Sequence, residues 1–178
     1  QNGAGLEVTH LKRYWETAVV RAESLAVTLS LENEAHDVTN DPSRVARIVR
    51  EFDSPNFKTT FDPANYYSAG IEPYPYAYEV VRESIAYCHT KGVRMYSREF
   101  CDDKSALGEQ MSGLHAGYRI YHSEIDSGAT NMDGVVRRML DDGYTGFFTV
   151  EPHIHDRARV ISCIKRDTEF LKRYKVTR

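Results

Sequence analysis

The sequence predicts an α/β fold in which about four parallel strands alternate with helices. Three observations carry that expectation. Segments of helical and of strand hydrophobic period succeed one another along the chain, each strand ends on a polar residue, and 178 residues with 41% hydrophobic and 11% aromatic content can bury one core. Strands separated by helices are joined right-handedly into a parallel sheet. No repeat, low-complexity tract or linker divides the chain, so residues 1–178 are read as a single domain.

From Leu6 to Glu23, Leu11, Trp15, Ala18, Val19 and Ala22 recur at three- and four-residue steps and mark an amphipathic helix. A strand is expected from Leu25 to Glu32, where Val27, Leu29 and Leu31 alternate with Thr28, Ser30 and Glu32. Asp41-Pro42 pairs an N-cap acceptor with a proline at the first helical position, and Val45, Ile48, Val49 and Phe52 continue that helix. Lys58–Asp62 reads as a short strand with Lys58, Thr60 and Asp62 on one face. A helix from about Tyr76 to Ser84 leads into a strand, Ile85–Lys91, in which Tyr87, His89 and Lys91 share a face.

The stretch from Gly92 to Asn131 has no sustained period and reads as an extended loop with at most one short element, a length that usually covers a site. Asp133–Leu140 returns to helix, and Gly143 supplies a left-handed stop. Gly146–Glu151 is a strand by its aromatic and β-branched content, and a helix from Arg157 to about Lys175 closes the chain.

Composition narrows the function. Lysine and arginine number 23 against 26 acidic residues, a net charge of −3, which offers nucleic acid no basic footprint. No apolar run approaches the roughly 20 residues of a membrane span. Cys88, Cys101 and Cys163 form no CxxC pair, which argues against a thiolate zinc site or a disulfide framework and points to a reducing cytoplasm. The chain opens on Gln1 and not Met, so it reads as a processed chain or a fragment.

In parallel α/β sheets, side chains at the carboxyl ends of the strands converge on the ligand site. Those ends carry Glu32, Asp62, His89 and Glu151, separated by 30, 27 and 62 residues, the last interval containing the long loop. Taken singly, each suits an ordinary strand-end charge. Together, three carboxylates and an imidazole conflict electrostatically unless a divalent cation joins them. An oxygen-rich set with one imidazole suits Mn²⁺, Mg²⁺ or Co²⁺, with Zn²⁺ also admissible.

The segments LSLENEAH around Glu32, FDPANYYSAG around Asp62, YCHTKG around His89 and DDGYTGFFTVEPHI around Glu151 resemble the xylose isomerase-like (β/α)8 barrels, in particular the sugar phosphate isomerase/epimerase group. The resemblance runs from about Leu6 to Phe170 and implies the C-terminal half of such a barrel, strands five to eight. It implies that Glu32, Asp62, His89 and Glu151 are metal ligands and that Glu32 and Glu151 are also the acid/base pair. It matches Lys91 to a lysine that commonly follows the histidine, and it places Lys91, Asn65 and His153 at substrate-binding positions. The family's usual aspartate after that lysine is here Gly92, and Asn65 stands where some epimerases carry histidine.

The expected activity is therefore metal-dependent isomerisation or epimerisation of a sugar or polyol through an enediolate. An inosose-type dehydratase, or a non-catalytic metal-binding subunit, is the alternative; the abasic-DNA endonucleases of the same barrel are disfavoured by the acidic balance. Half a barrel leaves two open strand edges, so the chain is expected to pair with a second copy or belong to a longer polypeptide. His115, His122 and His155 read as surface residues, Arg94 and Arg98 as unassigned, Tyr66, Tyr67, Tyr74, Tyr76 and Tyr78 as packing groups, and Cys88 as a small buried hydrophobe.

Overall fold

A computed structural model describes residues 8–97, 111–115, 118–154 and 156–174. Strands β1 (Leu29–Glu32), β2 (Phe57–Phe61), β3 (Ile85–Thr90) and β7 (Phe148–Val150) form one sheet in that order, every pair parallel. The helices on its outer face are α1 (Val8–Ser24), α2 (Pro42–Phe52), α4 (Tyr78–Val81), α5 (Met132–Asp141) and α6 (Arg157–Leu171). A short α3 (Pro63–Ser68) follows β2. This is an α/β architecture with a four-stranded parallel sheet, as expected of a partial barrel.

Strand alternation sorts the side chains. Leu31, Phe57, Phe61 and Cys88 point outward into apolar clusters with Val19, Val45, Ile48, Phe52, Val81, Val135, Met139 and Phe170. Cys88 is fully buried there, and Tyr66 and Tyr78 pack in the same core, whereas Tyr76 is exposed. Two caps form as the sequence indicates. Asp41 accepts from Ser43 N–H at 2.8 Å, and Gly143 takes φ +84° while Tyr144 N–H bonds Met139 O at 2.9 Å.

Three expectations need correction. The first strand begins at Leu29 and not Leu25, because α1 runs on to Ser24 and its last carbonyls are closed by Leu25 and Val27, with Ala26 in the left-handed region at φ +52°. The helix expected from Tyr76 to Ser84 is broken: a wide turn at Pro73–Ala77 precedes α4, and a 3₁₀ turn, Arg82–Ser84, follows it.

The largest correction concerns Gly92–Asn131. It contains a second sheet, β4 (Gly92–Ser97), β5 (Met111–His115) and β6 (Tyr118–Ser123), antiparallel in the order β4-β6-β5. Its inward positions mix Val93 and Ile120 with His122, so the two-residue period carries little hydrophobic contrast. Val93 and Ile120 pack on Ala64 and Tyr67 around α3, which fixes this sheet beside the ends of the parallel strands. Gly92 makes the junction: a Cβ there would lie 2.1 Å from Glu124 O. The family's aspartate has no room at this position.

Beyond β6, Asp167 of α6 anchors the 3₁₀ turn Ile125–Ser127. It is fully buried, its Oδ1 accepting from Ile125 N–H at 2.8 Å and its Oδ2 from the Cys163 thiol at 3.2 Å. Burial raises its pKa against the hydrogen bonds that lower it. The folded chain therefore holds this proton more tightly than the unfolded one. Its contribution is full below the ordinary carboxyl pKa and is lost as pH rises through the raised value. Asp167→Asn keeps an acceptor for Ile125 and removes the titration, so its melting temperature should fall less than the wild type's between about pH 4 and about pH 7; parallel melting curves would refute this.

Candidate metal centre

Glu32 is the last residue of β1, Asp62 and Glu151 each follow directly on a strand, and His89 is the penultimate residue of β3. One ligand atom from each of the four lies within 4.8 Å of all the others. His89 Nδ1 is 2.7 Å from Glu32 Oε1, 3.5 Å from Glu151 Oε2 and 3.9 Å from Asp62 Oδ2. Four side chains from four strands thus meet at one point, which separate strand-end charges would have no reason to do.

The backbone explains how Asp62 gets there. Asp62 caps α3, its Oδ1 accepting from Asn65 N–H at 2.9 Å, with Pro63 at the first helical position. Its second oxygen, Oδ2, is buried, lies 2.8 Å from Lys91 Nζ and is turned toward the cluster. Asn33, fully buried, ties β1 to this cap: its Nδ2 donates to Asp62 O at 2.9 Å and its Oδ1 accepts from Asp62 N–H at 2.8 Å. Asn65 is buried as well and donates to Asn33 O at 2.9 Å, with Glu32 Oε1 at 3.5 Å. Its side-chain N–H groups thus face the end of β1, next to Glu32.

Lys91 sets the electrostatics. Only 2% exposed, its Nζ donates to Glu151 Oε2 at 2.8 Å and forms an ion pair with Asp62 Oδ2 at 2.8 Å. Burial opposes its charge, but Asp62 and Glu151 hold its pKa above the usual lysine value. Burial would raise Glu151, yet the Lys91 hydrogen bond and the charges of Lys91 and His89 bring it below the usual carboxylate value. Asp62 is pushed up by burial despite Lys91. The hydrogen bond to Glu32, helped by all three carboxylates, raises His89 against the effect of burial.

Three carboxylates against one ammonium leave two negative charges, the complement of one divalent cation. Protonating His89 would remove one of these charges. A dication removes both and leaves the imidazole neutral, the form that ligates. Atoms bound to one ion at about 2.0–2.2 Å lie roughly 3–4.4 Å apart, so the cluster could close on a divalent metal with small side-chain movements.

His153 lies at the mouth, half exposed, its Nε2 3.4 Å from Lys91 Nζ and 3.5 Å from Glu151 Oε2. Burial and the Lys91 charge lower its pKa. Sequence reasoning missed Asn33, Glu34 and His122. Glu34 has a carboxyl raised by burial and by Glu32. His122 is buried, not a surface residue, with its ring centroid 5.1 Å from that of His153. Only the register of β6 against β4 reveals it. Arg94 donates to Ser127 O, away from the cluster. Arg98 and His155 lie outside the described residues, as do the side chain of His115 and all of Lys175.

Asn33→Ala should strand two buried backbone groups of Asp62 and cost about 1–3 kcal/mol of stability in denaturant titration. The same change should weaken divalent-ion uptake by 10–100-fold, the usual effect of removing groups that orient ligands. Unchanged uptake would mean that the Asn33 lattice does not hold the cluster's geometry.

The chain matches the family model of the xylose isomerase-like TIM barrel over residues 5–174. No curated protein sequence matches it. Among solved structures it is similar to the probable 3-DHS dehydratase AsbF, involved in petrobactin synthesis, of Bacillus anthracis (TM-score 0.66, 18% identity, 97% of this chain and 60% of that one). It is also similar to a xylose isomerase-like TIM barrel protein of Mycobacterium smegmatis in complex with magnesium (0.62, 20%, 88% and 49%) and to the 3-keto-D-glucoside 4-epimerase YcjR of E. coli (0.62, 13%, 96% and 57%). The chain thus spans about half to three-fifths of the length of these structures.

Proposed function

We propose, for a chain that belongs to the xylose isomerase-like TIM barrel family, that it carries the metal centre of an isomerase or epimerase acting on a sugar or polyol. One observation carries the reading: ligand atoms of Glu32, Asp62, His89 and Glu151, from four successive parallel strands, gather within 4.8 Å of one another. These four would hold Mn²⁺, Mg²⁺ or Co²⁺, Zn²⁺ also being admissible to the donor set. The magnesium complex of the mycobacterial structure supports a divalent ion.

When bound, the ion would supply Lewis acidity toward adjacent carbonyl and hydroxyl oxygens. The protein's own groups would move the proton. Glu151, kept ionised by Lys91 and His89, would take the proton next to the carbonyl, giving an enediolate, and a protonated Glu32 would return one, to the same carbon from the opposite face in an epimerase or to the neighbouring carbon in an isomerase. Reversed roles are equally compatible with the arrangement. Lys91, already committed to Asp62 and Glu151, would hold the base in place, and His153 at the mouth would meet the substrate's hydroxyls.

A general base contributes about 10²- to 10⁴-fold, so Glu151→Gln should lose at least about a hundredfold in turnover while remaining folded. In D₂O the active protein should place deuterium on the substrate carbon; turnover without exchange would mean hydride transfer and end this reading. The dehydratase similarity favours a second reading, loss of water after the same proton abstraction. Incubation with inosose and metal, followed for water loss, separates the two. A third, the non-catalytic metal-binding subunit, gains if no ketose is turned over.

We also propose that the sheet is completed by further strands, from a second copy or a longer polypeptide. Among the described residues β1 and β7 are each paired on one side only. Leu25 and Val27 beside β1, and Phe147 beside β7, are more than half exposed. The 178-residue chain by itself should self-associate, and light scattering from a well-behaved monomer at micromolar concentration would speak against it.

A further inference from the structure

The antiparallel sheet does more than cover the parallel one. In β4 and β6, Val93 is paired with His122 and Met95 with Ile120, so these four side chains share a face. Val93 and Ile120 seat that face on Ala64 and Tyr67. His122 occupies the end of the face nearest the cluster, since its partner Val93 is two residues from Lys91. Its ring, 7% exposed, packs on His153 with centroids 5.1 Å apart and planes 55° apart. His153 in turn lies 3.4 Å from Lys91 Nζ and 3.5 Å from Glu151 Oε2.

His153 sits on no helix or strand; it follows Glu151 and Pro152 in irregular chain and is half exposed. A half-exposed ring on irregular backbone keeps rotameric freedom unless something fixed packs against it. We propose that His122 is a positioning residue, a buried imidazole delivered by the antiparallel sheet to hold the His153 ring against Lys91 and Glu151 as the wall that meets substrate. The inference rests on the sugar-isomerase reading for what the wall contacts, but the ring pair can be tested without turnover.

The test compares wild type, His122→Ala and His122→Phe, each checked by its melting curve. Its first readout is the Cε1–H resonance of His153 in metal-free protein. In H122A this signal should lose its ring-current displacement and move toward the position of a free imidazole; in H122F, which keeps a packed ring, it should stay displaced. Mn²⁺ affinity by calorimetry should agree within about twofold among the three, because the contact described for His122 is with His153 and not with Glu32, Asp62, His89 or Glu151. With a ketose that the wild type turns over, H122A should raise KM about threefold to tenfold, the scale of ordering one side chain on binding, with kcat little changed and H122F restoring KM.

A His153 signal indifferent to H122A overturns the proposal. So does a loss of Mn²⁺ affinity in H122A, which would make His122 a support of the ligand cluster and not of the wall. A wild type that takes up no Mn²⁺ removes the parent reading and the role with it, and the His153 resonance then shows separately whether the ring pair exists.

Discussion

Three carboxylates held at one point are the constraint on which the rest of this molecule depends. Glu32, Asp62 and Glu151 would repel one another or take up protons if they met as bare charges, yet the parallel sheet leaves them no other place to go. The fold answers with a buried ammonium. Lys91, between Asp62 and Glu151, neutralises one charge permanently, and two remain for a dication. Burying an ammonium is tolerable only beside carboxylates, and burying Asp62 only beside a cation, so each group is admissible because the others are present.

Such an arrangement demands accurate backbone support, and local chemistry supplies it. The side chain of Asp62 is divided between two tasks, one oxygen capping α3 and the other facing the cluster. Because the cap fixes the χ angles, the second oxygen is aimed before any ion arrives. Asn33 then bonds both the N–H and the C=O of Asp62, joining the ends of β1 and β2 where the ladder itself has finished. Gly92 brings the chain around at van der Waals contact with Glu124. It thereby places the antiparallel sheet, and His122 with it, directly after Lys91.

Much of this was legible in the sequence because period and position suffice to read it. A polar residue at the end of an alternating strand announces its face, and four such ends in order point to a shared location; Glu32, Asp62, His89 and Glu151, which the fold brings together, were read in that way. Asn33 escaped because it follows a strand and has no period to belong to, and its significance appears only when Asp62 is seen across the gap. The antiparallel sheet escaped for a different reason. Its inward face includes an imidazole beside Val93 and Ile120, so the contrast between its two faces is weak. The early start assigned to β1 came from Leu25 and Val27, which alternate like strand residues while their amides close the end of α1.

The inner face of the parallel sheet extends the polar logic one layer deeper. Ser30, Thr60, Tyr87 and Thr149 each stand two residues before Glu32, Asp62, His89 and Glu151 respectively, and alternation sets them beneath those groups. They bond in pairs, Ser30 with Thr60 at 2.7 Å and Tyr87 with Thr149. Hydroxyls paired across neighbouring strands satisfy one another and remain compatible with water, so this face does not by itself demand an apolar cover. The demand comes from the edges, where among the described residues β1 and β7 are each paired on one side only, beside exposed Leu25, Val27 and Phe147. Strands that complete the sheet would therefore be recruited by backbone pairing and edge hydrophobes, and would close over a hydroxyl layer that isolates the charged cluster from the remainder of the interior.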